Sequence, residues 1–173
     1  MALYPLPRNG IEPTMIEPPS IDHLYRDPDY TLPVLIAVVP ARSGDPTDNH
    51  WMLIWTVYSS VATGHIIRRL QIVQEQGFDH LTNWGALTVT AGSLTIEAQK
   101  FSVGEMTLSE RRDLERIALG TQVMMPNGHW NCQNWITDVL KKAVNQYLLD
   151  YRNVDRALYS ARQVQPLSNS SWY

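Results

Sequence analysis

Residues 50 to 58 read His-Trp-Met-Leu-Ile-Trp-Thr-Val-Tyr, apolar at nearly every position. A strand with one wet face alternates apolar and polar side chains, so a run without alternation specifies a central strand covered on both faces. Ser59 to Gly64 supplies a turn. Gly64 to Gln74 then carries Ile66, Ile67, Leu70, Ile72 and Val73 with Arg68, Arg69 and Gln71 between them, which predicts the antiparallel partner. Leu32 to Val39 is β-branched and apolar and ends at Pro40, so it reads as a buried strand, followed by a polar loop over 41–49. Two more strands are expected at Ala86 to Thr90 and Leu94 to Phe101, on either side of Ala91-Gly92-Ser93.

The helical signals lie in the second half. Thr107 and Glu110 have capping-box spacing, Leu108, Leu114, Ile117 and Ala118 form a stripe, and Gly120 stops it. A second helix is expected from Cys132 to Leu149, on the stripe Ile136, Val139, Leu140, Ala143, Val144, Tyr147 and Leu148, and a short third one from Val154 to Arg162. The fold class is therefore α+β, an antiparallel sheet packed against helices.

A chain of 173 residues fits one domain. Residues 1–32 hold Pro5, Pro7, Pro13, Pro18, Pro19 and Pro28 and form a proline-rich arm, either wrapped on the body through Leu3, Tyr4, Ile16, Ile21, Leu24 and Tyr25 or a flexible tail. The domain proper spans 33–165, and 166–173 is a polar tail. A net charge of −3 offers no basic field for nucleic acid. Between Pro46 and Ile67 the only acidic or basic residue is Asp48, yet His50, Ser59, Ser60, Thr63, Gly64 and His65 fit buried strands better than a stable membrane insertion. The first residues lack the charged start and apolar stretch of a secretory signal, which makes a cytoplasmic location the expectation. No metal or cofactor is expected, because clustered histidines, HExxH-like spacing, phosphate loops and dinucleotide fingerprints are absent.

Cys132 is the sole cysteine and follows Asn131, a good N-cap, after a loop containing Pro126, Asn127 and Gly128. The first N–H groups of a helix are unpaired and carry the positive end of its dipole, so a thiol there ionises more easily than the usual ~8.5. Set against this, a lone cysteine on an apolar helix face is more often a small buried hydrophobe. A thiolate nucleophile also needs a base, and the base an orienting group. Of the five histidines, His23 and His80 read as exposed and incidental, and His129 is too close in sequence to reach the thiol well. His50 opens an apolar strand, where a side chain projects from a rigid element. If Tyr58 and His65 flank the turn, His50 faces Val73; Gln71 then shares its face, while His65 lies at the far end of the hairpin. Gln71 is preferred over His65 as the third residue, and a dyad without one is the remaining alternative.

His50-Trp51 opening an apolar strand, a second strand starting near Gly64, and Asn131-Cys132-Gln133-Asn134-Trp135 opening a helix together resemble the circularly permuted papain-like proteins typified by lecithin:retinol acyltransferase. The resemblance covers 50–149. It implies a permuted papain-like architecture with the nucleophile at a helix N-terminus, in the order base, orienting residue, nucleophile. In that group a second histidine stands four residues past the turn glycine, where this chain has Arg68. The implied function is a cysteine-dependent hydrolase or acyltransferase forming a thioester from an amide, ester or thioester of a small metabolite or peptide. The alternative is an inactive papain-like scaffold that binds a partner through its arm and its Trp172-Tyr173 end.

Overall fold

A computed structural model describes residues 3–167. The Trp172-Tyr173 end therefore lies outside the described residues, as does most of the polar tail. Five strands form one sheet in the order β6-β3-β2-β1-β7: β1 Leu32–Val39, β2 His50–Ser60, β3 Gly64–Leu70, β6 Leu87–Thr90 and β7 Gln99–Met106. Every neighbouring pair is antiparallel, and the unalternating β2 lies in the middle. β4 Val73–Gln74 and β5 Leu81–Thr82 make a separate two-stranded ribbon. The fold class is α+β, with an antiparallel sheet and helices.

Side chains alternate across β2 as the pleat requires. Trp51, Leu53, Trp55 and Val57 face the larger core, together with Ile66 and Leu70 of β3. That core is completed by α2 Leu108–Leu119, α3 Cys132–Asn145 and α4 Tyr151–Arg162. Met52, Ile54, Ile67 and Ala37 bury a smaller cluster on the opposite face with Ala98. There the sheet meets the short α1, Ser93–Glu97.

Two of the expected strands need correction. Leu94 to Phe101 is not one strand: Thr95 and Ile96 donate their N–H groups to Gly92 O and close the first turn of α1, and β7 begins at Gln99. The alternating Leu94-Thr95-Ile96-Glu97 has the period of a strand, but Gly92 in an extended conformation starts a helix instead. The strand expected over 64–74 divides, because its ladder with β2 ends at Leu53 opposite Leu70, and Val73 and Gln74 turn to pair with Thr82 and Leu81. The cysteine helix ends at Asn145, ahead of Tyr147, which takes a left-handed φ of 58°.

The proline-rich arm lies on the body. Leu6 N–H donates to Val123 O, Ile21 N–H to Thr88 O, and Tyr4 O accepts from Met125 N–H. Asp27 of the arm pairs with Arg111 of α2, both sealed from solvent, and the guanidinium also reaches the carbonyls of Pro28, Tyr30 and Met106. His80 is not exposed: it is 8% accessible, and its Nε2 meets Gly10 O at 2.9 Å. Gly10 sits so close that a Cβ would lie 2.4 Å from Leu81 O, and its φ of +79° suits glycine.

Candidate functional site

The site begins at the N-terminus of α3. Asn131 is extended, its Oδ1 accepts from Gln133 N–H at 2.9 Å, and its own N–H donates to Asn134 Oδ1 at 2.9 Å, a reciprocal cap. Cys132 is thus the first helical residue. The cap also fastens the helix to the loop that precedes β2. Asn131 Nδ2 donates to Thr47 O at 2.9 Å, and Gln133 Nε2 donates to Pro46 O at 2.9 Å and Asn49 O at 3.1 Å. Asn49 itself is buried, with its amide bonded to Ala41 N–H and Val164 O.

These ties bring the Cys132 sulfur against the start of β2. Trp51 N–H donates to Sγ at 3.4 Å, and the thiol donates to Asn49 O at 3.8 Å. The sulfur therefore contacts the main chain on both sides of His50. Trp51 is two residues beyond the end of the β2–β3 ladder, so its N–H finds sulfur where a strand would otherwise continue.

The His50 side chain is held from the other direction. Its Nε2 lies 3.0 Å from Gln71 Oε1. Gln71 follows the last residue of β3 and, alternating with Leu70 and Ile72 of the larger core, belongs to the same sheet face as His50. Since an amide oxygen only accepts, Nε2 carries the proton and Nδ1 the lone pair. Among the described residues no hydrogen bond joins the imidazole to the sulfur directly. His65 is elsewhere: it is paired with Ser59 near the far end of the hairpin, and its Nδ1 bonds Ser59 Oγ at 3.0 Å. His50 and Ser59 are nine residues apart on β2, roughly 30 Å at ~3.3 Å per residue.

The electrostatics differ from the sequence expectation of a thiol that ionises readily. Burial pushes the Cys132 thiol up from its ordinary value, and the N–H groups of Trp51, Cys132 and Gln133 aimed at the sulfur offset this only in part. The residue is 8% exposed, so desolvation of a thiolate outweighs the pull of those N–H groups. Burial likewise pushes His50 down, the Gln71 bond pulls it back up, and the Arg69 charge lowers it further. Both directions favour the neutral forms, thiol and imidazole, at neutral pH.

Arg69 and the buried Asn49 are not marked as site residues by any sequence motif. Alternation alone puts Arg69 on the face of Gln71, and that was the available signal. Asn49 had none beyond preceding the strand. Among the described residues, no group of three His, Cys, Asp or Glu side chains converges as a metal site, and no helix is long and apolar enough to cross a membrane. Neither a family model, nor a curated protein, nor a solved structure matches the chain.

Proposed function

We propose that this chain is a thiol-dependent acyl hydrolase or acyltransferase on a permuted papain-like frame, with Cys132 as nucleophile, His50 as base and Gln71 orienting the base. One observation carries the reading: three distant segments meet so that the sulfur abuts the backbone around His50 while Gln71 holds the far nitrogen of its ring. The order of the three along the chain agrees with the resemblance to the lecithin:retinol acyltransferase group. The substrate class is an amide, ester or thioester of a small metabolite or peptide.

In this reading the thiol keeps its proton until attack. His50 Nδ1 takes that proton as the sulfur bonds to the acyl carbon, and the carbonyl electron pair moves onto oxygen. The Cys132 amide, one of the unpaired donors of the first helical turn, faces the oxyanion. Collapse breaks the bond to the leaving amine, alkoxide or thiolate, which takes the proton from the imidazolium and leaves a thioester on Cys132. Water or a second nucleophile gives its proton to His50 and attacks the thioester; the acyl group leaves as the C–S bond breaks, and the imidazolium returns that proton to the Cys132 sulfur.

The test is acylation by activated esters, followed by intact-mass and peptide mass spectrometry. One acyl group should appear on Cys132, be released by hydroxylamine, and form at least tenfold more slowly in His50→Ala, given the usual contribution of a positioned base of ~10²–10⁴. Acyl groups only on lysines, or equal acylation of Cys132 in the variant, would defeat the reading.

A further inference from the structure

Among the described residues, Arg69 stands beside the candidate site with its charge uncompensated. Other arginines facing protein surroundings have carboxylate partners: Arg68 with Glu115 and Arg111 with Asp27. Even the exposed Arg116 pairs with Asp113. Arg69 has no hydrogen bond and no ion pair among the described residues, and its Nε is sealed from solvent without an acceptor. A desolvated guanidinium with an unmet donor is costly, and proteins seldom keep one without an anion to meet it.

Its position gives that cost a use. Arg69 lies opposite Ile54 on β3, two residues before Gln71, so Arg69, Gln71 and His50 project from one face of the sheet. It is close enough that its charge disfavours a protonated His50. The residue remains partly exposed although its Nε does not, so a ligand would approach the guanidinium from its terminal nitrogens.

We propose that Arg69 determines specificity by binding a carboxylate of the acyl substrate, so that the substrate class is narrowed to acyl compounds bearing a free carboxylate on one side of the scissile carbonyl. This rests on the reading of Cys132 as the nucleophile. One guanidinium fork complements one carboxylate, in charge and in its paired donors.

The test compares alkylation of Cys132 by N-iodoacetyl glycine, N-iodoacetyl β-alanine and N-iodoacetyl 4-aminobutyrate, each against its neutral carboxamide. The readout is the rate ratio of acid to amide, because a change in His50 alters both rates together. In the wild type the ratio should exceed that of free cysteine by about tenfold for at least one spacer, the size of a charge-assisted hydrogen bond. Arg69→Met should return it to the free-cysteine value, and Arg69→Lys should keep part of it. Ratios equal to free cysteine at every spacer, or unchanged in Arg69→Met, overturn the proposal. Should Arg69→Met not fold, the wild-type Arg69 Nε–H resonance during titration with acetate decides: movement supports the site, and none overturns it. His50→Ala separates the two readings, because an amide rate indifferent to His50 with the acid preference intact would remove the catalytic reading and leave the anion site standing.

Discussion

The backbone N–H of Trp51 donates to the sulfur of Cys132 at 3.4 Å, across 81 positions of sequence. Because the donor is main chain, no side-chain substitution at Trp51 deletes it. What holds the two groups in register is the pair of side chains flanking the thiol, Asn131 and Gln133, which clasp the loop ahead of β2. The site is thus assembled by a helix cap that also serves as a tertiary tie.

Asn131→Ala should therefore cost more than an ordinary cap. Loss of an N-cap destabilises by ~1 kcal/mol, and here the bond from Asn131 Nδ2 to Thr47 O is lost as well. The expected total is about 2 kcal/mol in urea unfolding, adding one ordinary hydrogen bond to the cap. Iodoacetamide labelling of Cys132 should lose its dependence on His50, as the sulfur is no longer fixed against β2. A loss of a few tenths with reactivity unchanged would show that the clasp does not position the thiol.

The reactivity of Cys132 should have an acid limb set by His50. Burial and Arg69 lower His50 below its ordinary 6.5, so base-assisted acylation should rise through a midpoint below that value and stay level across neutral pH. His50→Ala should remove this limb and leave only the rise from the thiol's own ionisation, above its ordinary 9.0 because of burial. The Gln71 bond favours the protonated ring, so Gln71→Ala should move the acid limb lower still. It should also slow acylation, since the ring loses the bond that fixes its tautomer. Stopped-flow acylation across pH measures both effects, and an acid limb in the same place in Gln71→Ala would contradict the orienting role.

Much of this arrangement was legible in the sequence where the signal is local. The unalternating β2, the Thr107 cap of α2 and the Asn131 cap of α3 each follow from neighbouring residues. The short α1 was not, because Ser93 to Glu97 has a strand-like alternation and the deciding factor is the conformation of Gly92. His80 and Arg111 were also hidden: their partners, Gly10 and Asp27, lie 70 and 84 positions away. Nothing in the periodicity of either segment announces such a pairing. At the site, pattern and face alternation indicated which side chains share a surface, but the clasp of Gln133 on three loop carbonyls depends on tertiary geometry alone.

Folding stability should fall on both sides of neutrality. His50 has a lowered value in the folded state, so its contribution is present above the unfolded 6.5 and is lost as pH falls through the folded value. Cys132 has a raised value, so its contribution is present below the unfolded 9.0 and is lost as pH climbs through the folded one. Denaturant midpoints across pH should thus form a plateau between these limits. In Cys132→Ala the alkaline decline should shrink while the acid one persists; equal declines in both proteins would mean that the thiol is not protected in the folded state.

The buried pair of Asp27 and Arg111 should be the costliest polar contact to break. Arg111 is fully buried, and besides both Asp27 oxygens it satisfies the carbonyls of Pro28, Tyr30 and Met106, tying the arm to α2 and β7. Asp27→Ala leaves a guanidinium without its counter-ion in the interior, for which the expected loss is about 3–5 kcal/mol. The double variant Asp27→Leu with Arg111→Met removes both charges and should recover a large part of that loss, since hydrophobic replacement of a buried pair is often near neutral. Urea unfolding of the singles and the double closes the cycle. Additive losses would mean that the two residues act independently, and that the arm is held by its backbone bonds to Val123 and Thr88 rather than by this pair.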